Sequence, residues 1–303
     1  MERRRIGSLE VSAVGLGCNN FGGRIDEAAT RAVVDAALDA GIDFFDTADI
    51  YGGTKSEEFL GRVLQGRRDK VVLATKFGMP VDAQRKGAHP DYVRRACEDS
   101  LRRLQTDRID LYQLHQPDPE VPIADTLGAL DELVRAGKVR EIGCSNFSVA
   151  QLREAATASR AARFVSVQNE LNLLKRDDEQ GVLPECAAEG LAYLPFFPLA
   201  GGLLSGKYQP GQPAPQGTRL ANAQTAARFR NERNEARAEK LRAWAEGQGH
   251  TLLELAFAWL LAKPQIASVI AGATRPEQVR ANVQAATWKL TGEQRAQTDA
   301  LAS

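Results

Sequence analysis

Strand-like and helix-like segments alternate along this chain with a step of roughly 30 residues, and that rhythm restricts its possible folds more than any other feature. Apolar runs at Ala13 to Leu16, Phe44 to Asp46, Val71 to Thr75, Ile109 to Leu114, Glu141 to Gly143, Val165 to Val167, Ala192 to Phe196 and Ser268 to Ile270 read as strands. Between them lie amphipathic stretches such as Asp26 to Ala40, Pro90 to Leu104, Pro122 to Ala136 and Val149 to Ala158, several closed by Gly41, Gly137 or Gly190. Eight such units predict a closed (β/α)8 barrel of the TIM type, a single domain over residues 1–303. Three segments stand outside the repeat. Arg5 to Val11 reads as two short strands around a turn, a β-hairpin able to plug the lower end of the barrel. Gln209 to Arg219, rich in Pro and Gly, predicts a long loop beside the active rim, and Thr291 to Ala300 predicts one extra C-terminal helix.

Composition narrows the function classes. Lys plus Arg equals Asp plus Glu at 39 each, so no global field draws nucleic acid or an anionic membrane. The four cysteines, Cys18, Cys97, Cys144 and Cys186, form no C-x-x-C pair, which argues against a zinc site and a disulfide framework and for a reducing compartment. Only His89, His115 and His250 are present and H-E-x-x-H is absent, so no metal is expected. The N-terminus lacks the apolar core of a signal peptide, and no run reaches the ~20 apolar residues of a membrane span. The reading is cytoplasmic. Gly15-Leu16-Gly17-Cys18-Asn19-Asn20-Phe21-Gly22 misplaces the third glycine of the Rossmann fingerprint, so this first loop, with Gly17 and Asn19, is expected to line a pocket instead.

Four polar residues, Asp46, Tyr51, Lys76 and His115, sit at or just past the ends of apolar runs. Singly each has a structural explanation: an Asp caps a helix, a Tyr packs, a Lys is solvated. Together, at the C-terminal ends of strands two, three and four of a barrel, they converge on one pocket. A phenol titrates near ~10 and is a reluctant donor; an adjacent ammonium lowers that value, and a carboxylate keeps the ammonium charged. The set is suited to protonating a carbonyl oxygen.

The surrounding text is specific: Asp46-Thr47-Ala48-Asp49-Ile50-Tyr51-Gly52, then Ala74-Thr75-Lys76, then Leu111-Tyr112-Gln113-Leu114-His115. These motifs, from about Gly15 to Asn282, resemble the aldo-keto reductase superfamily, in style closest to bacterial reductases related to potassium-channel β subunits. The resemblance implies an NADPH-dependent reduction of a small aldehyde or ketone, with Tyr51 as general acid, Lys76 and Asp46 as its tuning pair and His115 on the carbonyl. It also implies cofactor contacts. Ser145 and Asn146, whose alternative is helix capping, and Gln168 would meet the nicotinamide amide, with Asn172 nearby. Phe196 stands two positions before Pro198, where relatives often carry Tyr, and would keep ring stacking without the hydroxyl. Leu199, Gly201 and Leu203 would contact the cofactor, Gly201 by close backbone approach, Ser205 and Lys207 would meet its pyrophosphate, and Arg219 would be a lid contact. Gly272, Thr274, Gln278 and Asn282 would hold the adenosine end, with Arg275 or Arg280 on a 2′-phosphate and Ala281 replacing a Glu of relatives. NADPH is favoured over NADH because only Glu277 is acidic in that helix's first turn. The alternative of another class is a cofactor-binding regulatory subunit with weak residual activity. The motifs leave the substrate and the oligomeric state open.

Overall fold

The computed structural model describes residues 1–209 and 211–302, so Pro210 of the predicted long loop lies outside the described residues. The N-terminal strands β1 (Arg3–Ile6) and β2 (Leu9–Ser12) pair antiparallel around a turn in which Gly7 takes a positive φ of 55°. Eight parallel strands follow: β3 (Val14–Gly17), β4 (Phe44–Asp46), β5 (Val72–Phe77), β6 (Ile109–Leu114), β7 (Val139–Ser145), β8 (Phe164–Glu170), β9 (Ala192–Phe196) and β10 (Val269–Gly272). Their order is β10-β3-β4-β5-β6-β7-β8-β9. The barrel closes between β9 and the residues leading into β10, where Tyr193 N donates to Gln265 O at 2.8 Å and Ala267 N to Tyr193 O at 3.1 Å.

Helices α1 (Glu27–Asp39), α2 (Lys55–Val63), α3 (Pro90–Leu104), α4 (Ile123–Arg135), α5 (Val149–Ala158) and α6 (Val182–Glu189) each return the chain to the next strand. After β9 come α7 (Ala223–Phe229), α8 (Glu232–Gly247) and α9 (Leu252–Leu261); α10 (Pro276–Ala285) and α11 (Gly292–Leu301) end the chain. The expected hairpin and extra helix are therefore present. Caps match local chemistry: Asp26 accepts from Ala29 N at the start of α1, and Ser148 with Gln151 forms a capping box on α5. No helix among the described residues is long and apolar enough to cross a membrane.

The pleat explains how one set of strands builds two kinds of layer. Alternate residues face opposite sides, so Phe45, Leu73 and Tyr112 join the core between strands and helices. Phe44, Ala74, Leu111, Leu194 and Ile270 pack instead in a second core with Ile6, Leu9 and Val11 of the hairpin. The same parity two positions later brings Asp46, Lys76, Gln113 and Phe196 to the upper rim of the barrel. Several strands run further than hydrophobicity indicates, through Lys76 in β5, Ser145 in β7 and Glu170 in β8. Their side chains are polar, yet their backbones stay in the ladder.

Candidate active site

The upper layer is a ring of buried polar groups. Lys76 Nζ, wholly buried, donates to Asp46 Oδ2 at 2.6 Å and to Thr47 O at 2.8 Å. Asp46 Oδ1 accepts from Gln113 Nε2 at 3.1 Å and Gln168 Nε2 at 3.0 Å. Three donors thus compensate the carboxylate for lost water, which a buried ion pair requires. Burial disfavours the Lys76 ammonium, but Asp46 and Tyr51 together outweigh it, and its pKa lies above the ordinary value.

Tyr51 sits in the loop after β4 with its ring 5.2 Å from Lys76 Nζ. His115, just past β6, meets that ring edge-on, centroids 5.9 Å apart and planes at 80°. All four residues of the predicted quartet are therefore brought together. One expectation is corrected: burial lifts the Tyr51 phenol above its usual range, outweighing the pull of Lys76 in the opposite direction. The phenol stays protonated, as a donor must. His115 Nδ1 is buried without a hydrogen-bond partner. Burial, with the charge of Lys76, pushes the imidazole down to about 3, so it is neutral in the ordinary pH range.

Above this floor opens a cleft of about 930 Å³, lined by Asp46, Tyr51 and His115 at one part and by the start of α10 at another. Ser145, Asn146 and Gln168 line it beside the quartet. Neither Ser145 nor Asn146 caps a helix, since Ser148 does so for α5. Ser145 Oγ donates to Gln168 O at 2.7 Å and Asn146 Nδ2 to His115 O at 2.9 Å, tying the ends of β6, β7 and β8 together. Asn146 holds a left-handed φ of 61°, a conformation Asn tolerates better than most residues.

Phe196, Pro198, Leu199, Gly201, Ser205 and Lys207 line the cleft after β9. Gly201 has a φ of 68°, and a Cβ there would lie 2.6 Å from Phe229 Cδ2, so only glycine fits. Leu203 does not line the cleft; it borders a separate small cavity with Tyr208 and Ala238. Asn172 lies behind the lining, its Nδ2 donating to Phe197 O at 3.0 Å. Arg219 donates to Asn19 Oδ1 at 3.0 Å and Asn20 Oδ1 at 2.9 Å, while Arg24 donates to Gly217 O at 2.7 Å. These bonds bring the 216–219 segment, which lines the cleft, to the loop after β3.

Gly17, Asn19, Gly272, Thr274, Arg275, Gln278, Ala281 and Asn282 also line the cleft. A Cβ on Gly272 would stand 3.1 Å from Asn20 Nδ2 and 3.3 Å from Asn19 Oδ1, so the bare backbone leaves room in the cleft. Pro276 occupies the first turn of α10, and Gln278 Oε1 accepts from Thr274 N at 2.7 Å, ordering the loop before the helix. Arg275 faces the cleft, whereas Arg280 is outside its lining and pairs with Glu277 at 3.9 Å. Among the described residues no group of His, Cys, Asp and Glu could hold a metal ion.

Sequence reasoning passed over Gln113, Asn20 and Arg24. Gln113 had a signal: a lone amide in an apolar strand. Asn20 and Arg24 had none, because their partners lie about 200 residues away in sequence.

The arrangement offers a donor phenol, a buried cation, a neutral imidazole and a long cleft with a basic rim. The family model described as the aldo/keto reductase family matches residues 13–303. An uncharacterized oxidoreductase, YrpG, of Bacillus subtilis is 38% identical over 301 residues, covering 94% of this chain and 90% of that protein. The holo form of aldo-keto reductase AKR11C1 from Bacillus halodurans superposes with a TM-score of 0.84 at 34% identity, over 100% of this chain and 97% of that one. Glycerol dehydrogenase AKR11B4 from Gluconobacter oxydans gives 0.85 at 30% identity, over 99% and 94%. The chain belongs to the aldo/keto reductase family and is an NAD(P)H-dependent oxidoreductase acting on small molecules.

Proposed function

We propose that the chain, as one reductase domain, reduces a small aldehyde or ketone to the alcohol with NADPH, Tyr51 acting as general acid. The observation that carries this reading is the convergence of Tyr51, His115 and the Lys76–Asp46 pair at the floor of one cleft.

The cleft's donor set fits a dinucleotide. Lys207, Arg219 and Arg275 supply cations for phosphates, and the hydrogen-bond partners of Arg219 are amide oxygens, which leave its charge unneutralised. Gly201 and Gly272 admit close backbone approach, Gly17 and Asn19 border the cleft, and Thr274, Gln278 and Asn282 offer polar groups at the α10 end. Ser145, Asn146 and Gln168 would hold the carboxamide, and Phe196, flanked by Pro198 and Leu199, would stack on the ring. Ser205 would add a hydroxyl to the pyrophosphate contacts. Arg275 on the lining favours a 2′-phosphate and thus NADPH. When bound, the reduced nicotinamide supplies hydride to the carbonyl carbon.

The chain's own groups supply the rest. His115, neutral, hydrogen-bonds the carbonyl oxygen and fixes its direction. Charge grows on that oxygen as its carbon is reduced, and its basicity rises past that of the phenol. The Tyr51 O–H bond then breaks toward it, and Lys76 stabilises the phenolate left behind. General acid catalysis of this kind contributes roughly 10²- to 10⁴-fold. The four cysteines, all free and buried, fit a reducing, cytoplasmic setting.

The test is NADPH oxidation with short aldehydes, ketones and, given one neighbour's name, glyceraldehyde and dihydroxyacetone. Wild type should turn over at least one, and Tyr51→Phe should lose about 10²-fold or more while folding normally. Equal turnover by both would remove Tyr51 from this role. Tight NADPH binding without turnover of any carbonyl would favour a regulatory binding protein instead.

A further inference from the structure

We infer that Gln113 is a positioning residue that, together with Asp46, locks the Gln168 amide with its oxygen toward the ligand. The inference rests on the nicotinamide reading of Gln168 proposed above. A carboxylate accepts hydrogen bonds and donates none, so every amide bonded to Asp46 Oδ1 must direct its NH₂ there. Two do: Gln113 Nε2 at 3.1 Å and Gln168 Nε2 at 3.0 Å. Gln113 Oε1 is then turned toward Gln168 and accepts its second N–H at 3.3 Å. Both hydrogens of the Gln168 NH₂ are consumed, one by Asp46 and one by Gln113. The oxygen of Gln168 is what remains for the cleft it lines, and it offers an acceptor suited to a carboxamide NH₂.

The fold makes room for this amide. Gln113 is wholly buried on β6, in register with Lys76 on β5 and with Gly143 on β7. A Cβ at Gly143 would lie 3.2 Å from Gln113 Cγ and 2.6 Å from Ser166 Oγ. Glycine on the neighbouring strand thus leaves the space through which Gln113 reaches Asp46. If Gln113 were apolar, one N–H of Gln168 would lose its acceptor and Asp46 alone would hold the amide, so its oxygen would be less firmly directed at the ligand.

The experiment measures binding of two ligands to the intact chain by fluorescence and calorimetric titration: NADPH, and adenosine 2′,5′-bisphosphate, which lacks the nicotinamide half. Gln113→Leu should weaken NADPH roughly tenfold, the effect of stranding a buried polar group, and leave the bisphosphate within about twofold. In a Gln168→Leu background the same change should cost NADPH less than about threefold, because the residue acts through Gln168. Gln113→Met, which keeps side-chain length and removes both hydrogen bonds, repeats the measurement should the leucine variant fail to fold. Unchanged NADPH affinity, equal loss of both ligands, or an undiminished loss in the Gln168→Leu background would each overturn the inference. A wild type that binds neither NADPH nor NADH would instead refute the nicotinamide reading itself.

Discussion

At the lower end of the barrel, Ile6, Leu9 and Val11 of the hairpin pack on Phe44, Leu111, Leu194 and Ile270. Two positions up strands β4 and β6, the inward parity changes from Phe44 to Asp46 and from Leu111 to Gln113, with Lys76 beside them. Burial does different work at the two ends. Below, it removes apolar area from water, a non-directional gain that tolerates rearrangement. Above, it strips water from charges and amides, so each atom depends on one particular partner. Changes below should move stability and leave chemistry alone; changes above should move both.

Lys76→Met is the most severe break of this contrast. It leaves the Asp46 carboxylate buried with two amides and no cation. A stability loss of about 3–5 kcal/mol is expected by denaturant titration, together with loss of turnover. Removing the stranded charge while keeping the acceptor for the two amides, in Lys76→Met with Asp46→Asn, should restore most of the stability and none of the activity. Recovery of turnover in that double variant would mean that the pair is dispensable to the reaction.

Leu9→Ala is the matching change at the other end. Leu9 is 1% exposed within the plug, and its truncation should cost about 2–5 kcal/mol. In the protein that remains folded, kcat and KM should equal those of wild type. A shift in either would show that the plug communicates with the rim, and the division of labour would fail.

The lower end and the helical shell were the more legible parts of the sequence. Strands buried on both faces read as continuous apolar runs, and capping residues such as Asp26 mark the helix starts. Legibility falls where polar side chains sit on buried strands: β5 and β8 continue through Lys76 and Gln168 because neighbouring strands, not hydrophobicity, hold those backbones. The quartet could be picked out because each member stands at or just past a strand end. Gln113 could have been, since it shares the inward parity of Leu111, but its partners lie 67 and 55 residues away. The direction of the Tyr51 shift could not, because local sequence names the cation nearby and does not reveal how deeply the ring is buried. The resemblance puts Leu203 among the cofactor contacts, whereas the turn through Gly201 and Gly202 aims it elsewhere.

A finer contrast lies within the upper end. Asp49 follows Asp46 by three residues and is as deeply buried, yet neither of its carboxyl oxygens has a hydrogen-bond partner. Burial, reinforced by nearby Glu57, raises it to about 7. The unfolded chain loses this proton near 3.8, so between these values the native state binds more protons and stability falls as pH rises. His115 acts in the other direction. Its native value of about 3 lies below the unfolded 6.5, so its contribution is complete above 6.5 and is lost as pH falls toward 3. Over the shared window the two slopes offset one another. Asp49→Asn should therefore uncover the His115 slope, with stability rising from pH 4 to 6.5 where wild type is nearly flat. Above pH 7 the variant should exceed wild type by about 1–3 kcal/mol, since the asparagine has no charge to bury. Urea titrations across that range decide the matter, and parallel wild-type and variant curves would mean that Asp49 is ionised and partnered in the native protein. Because Asp49 and Tyr51 share one loop, the same series should include turnover; a gain in stability with unchanged kcat would confine the unpartnered carboxyl to the structural side of the rim.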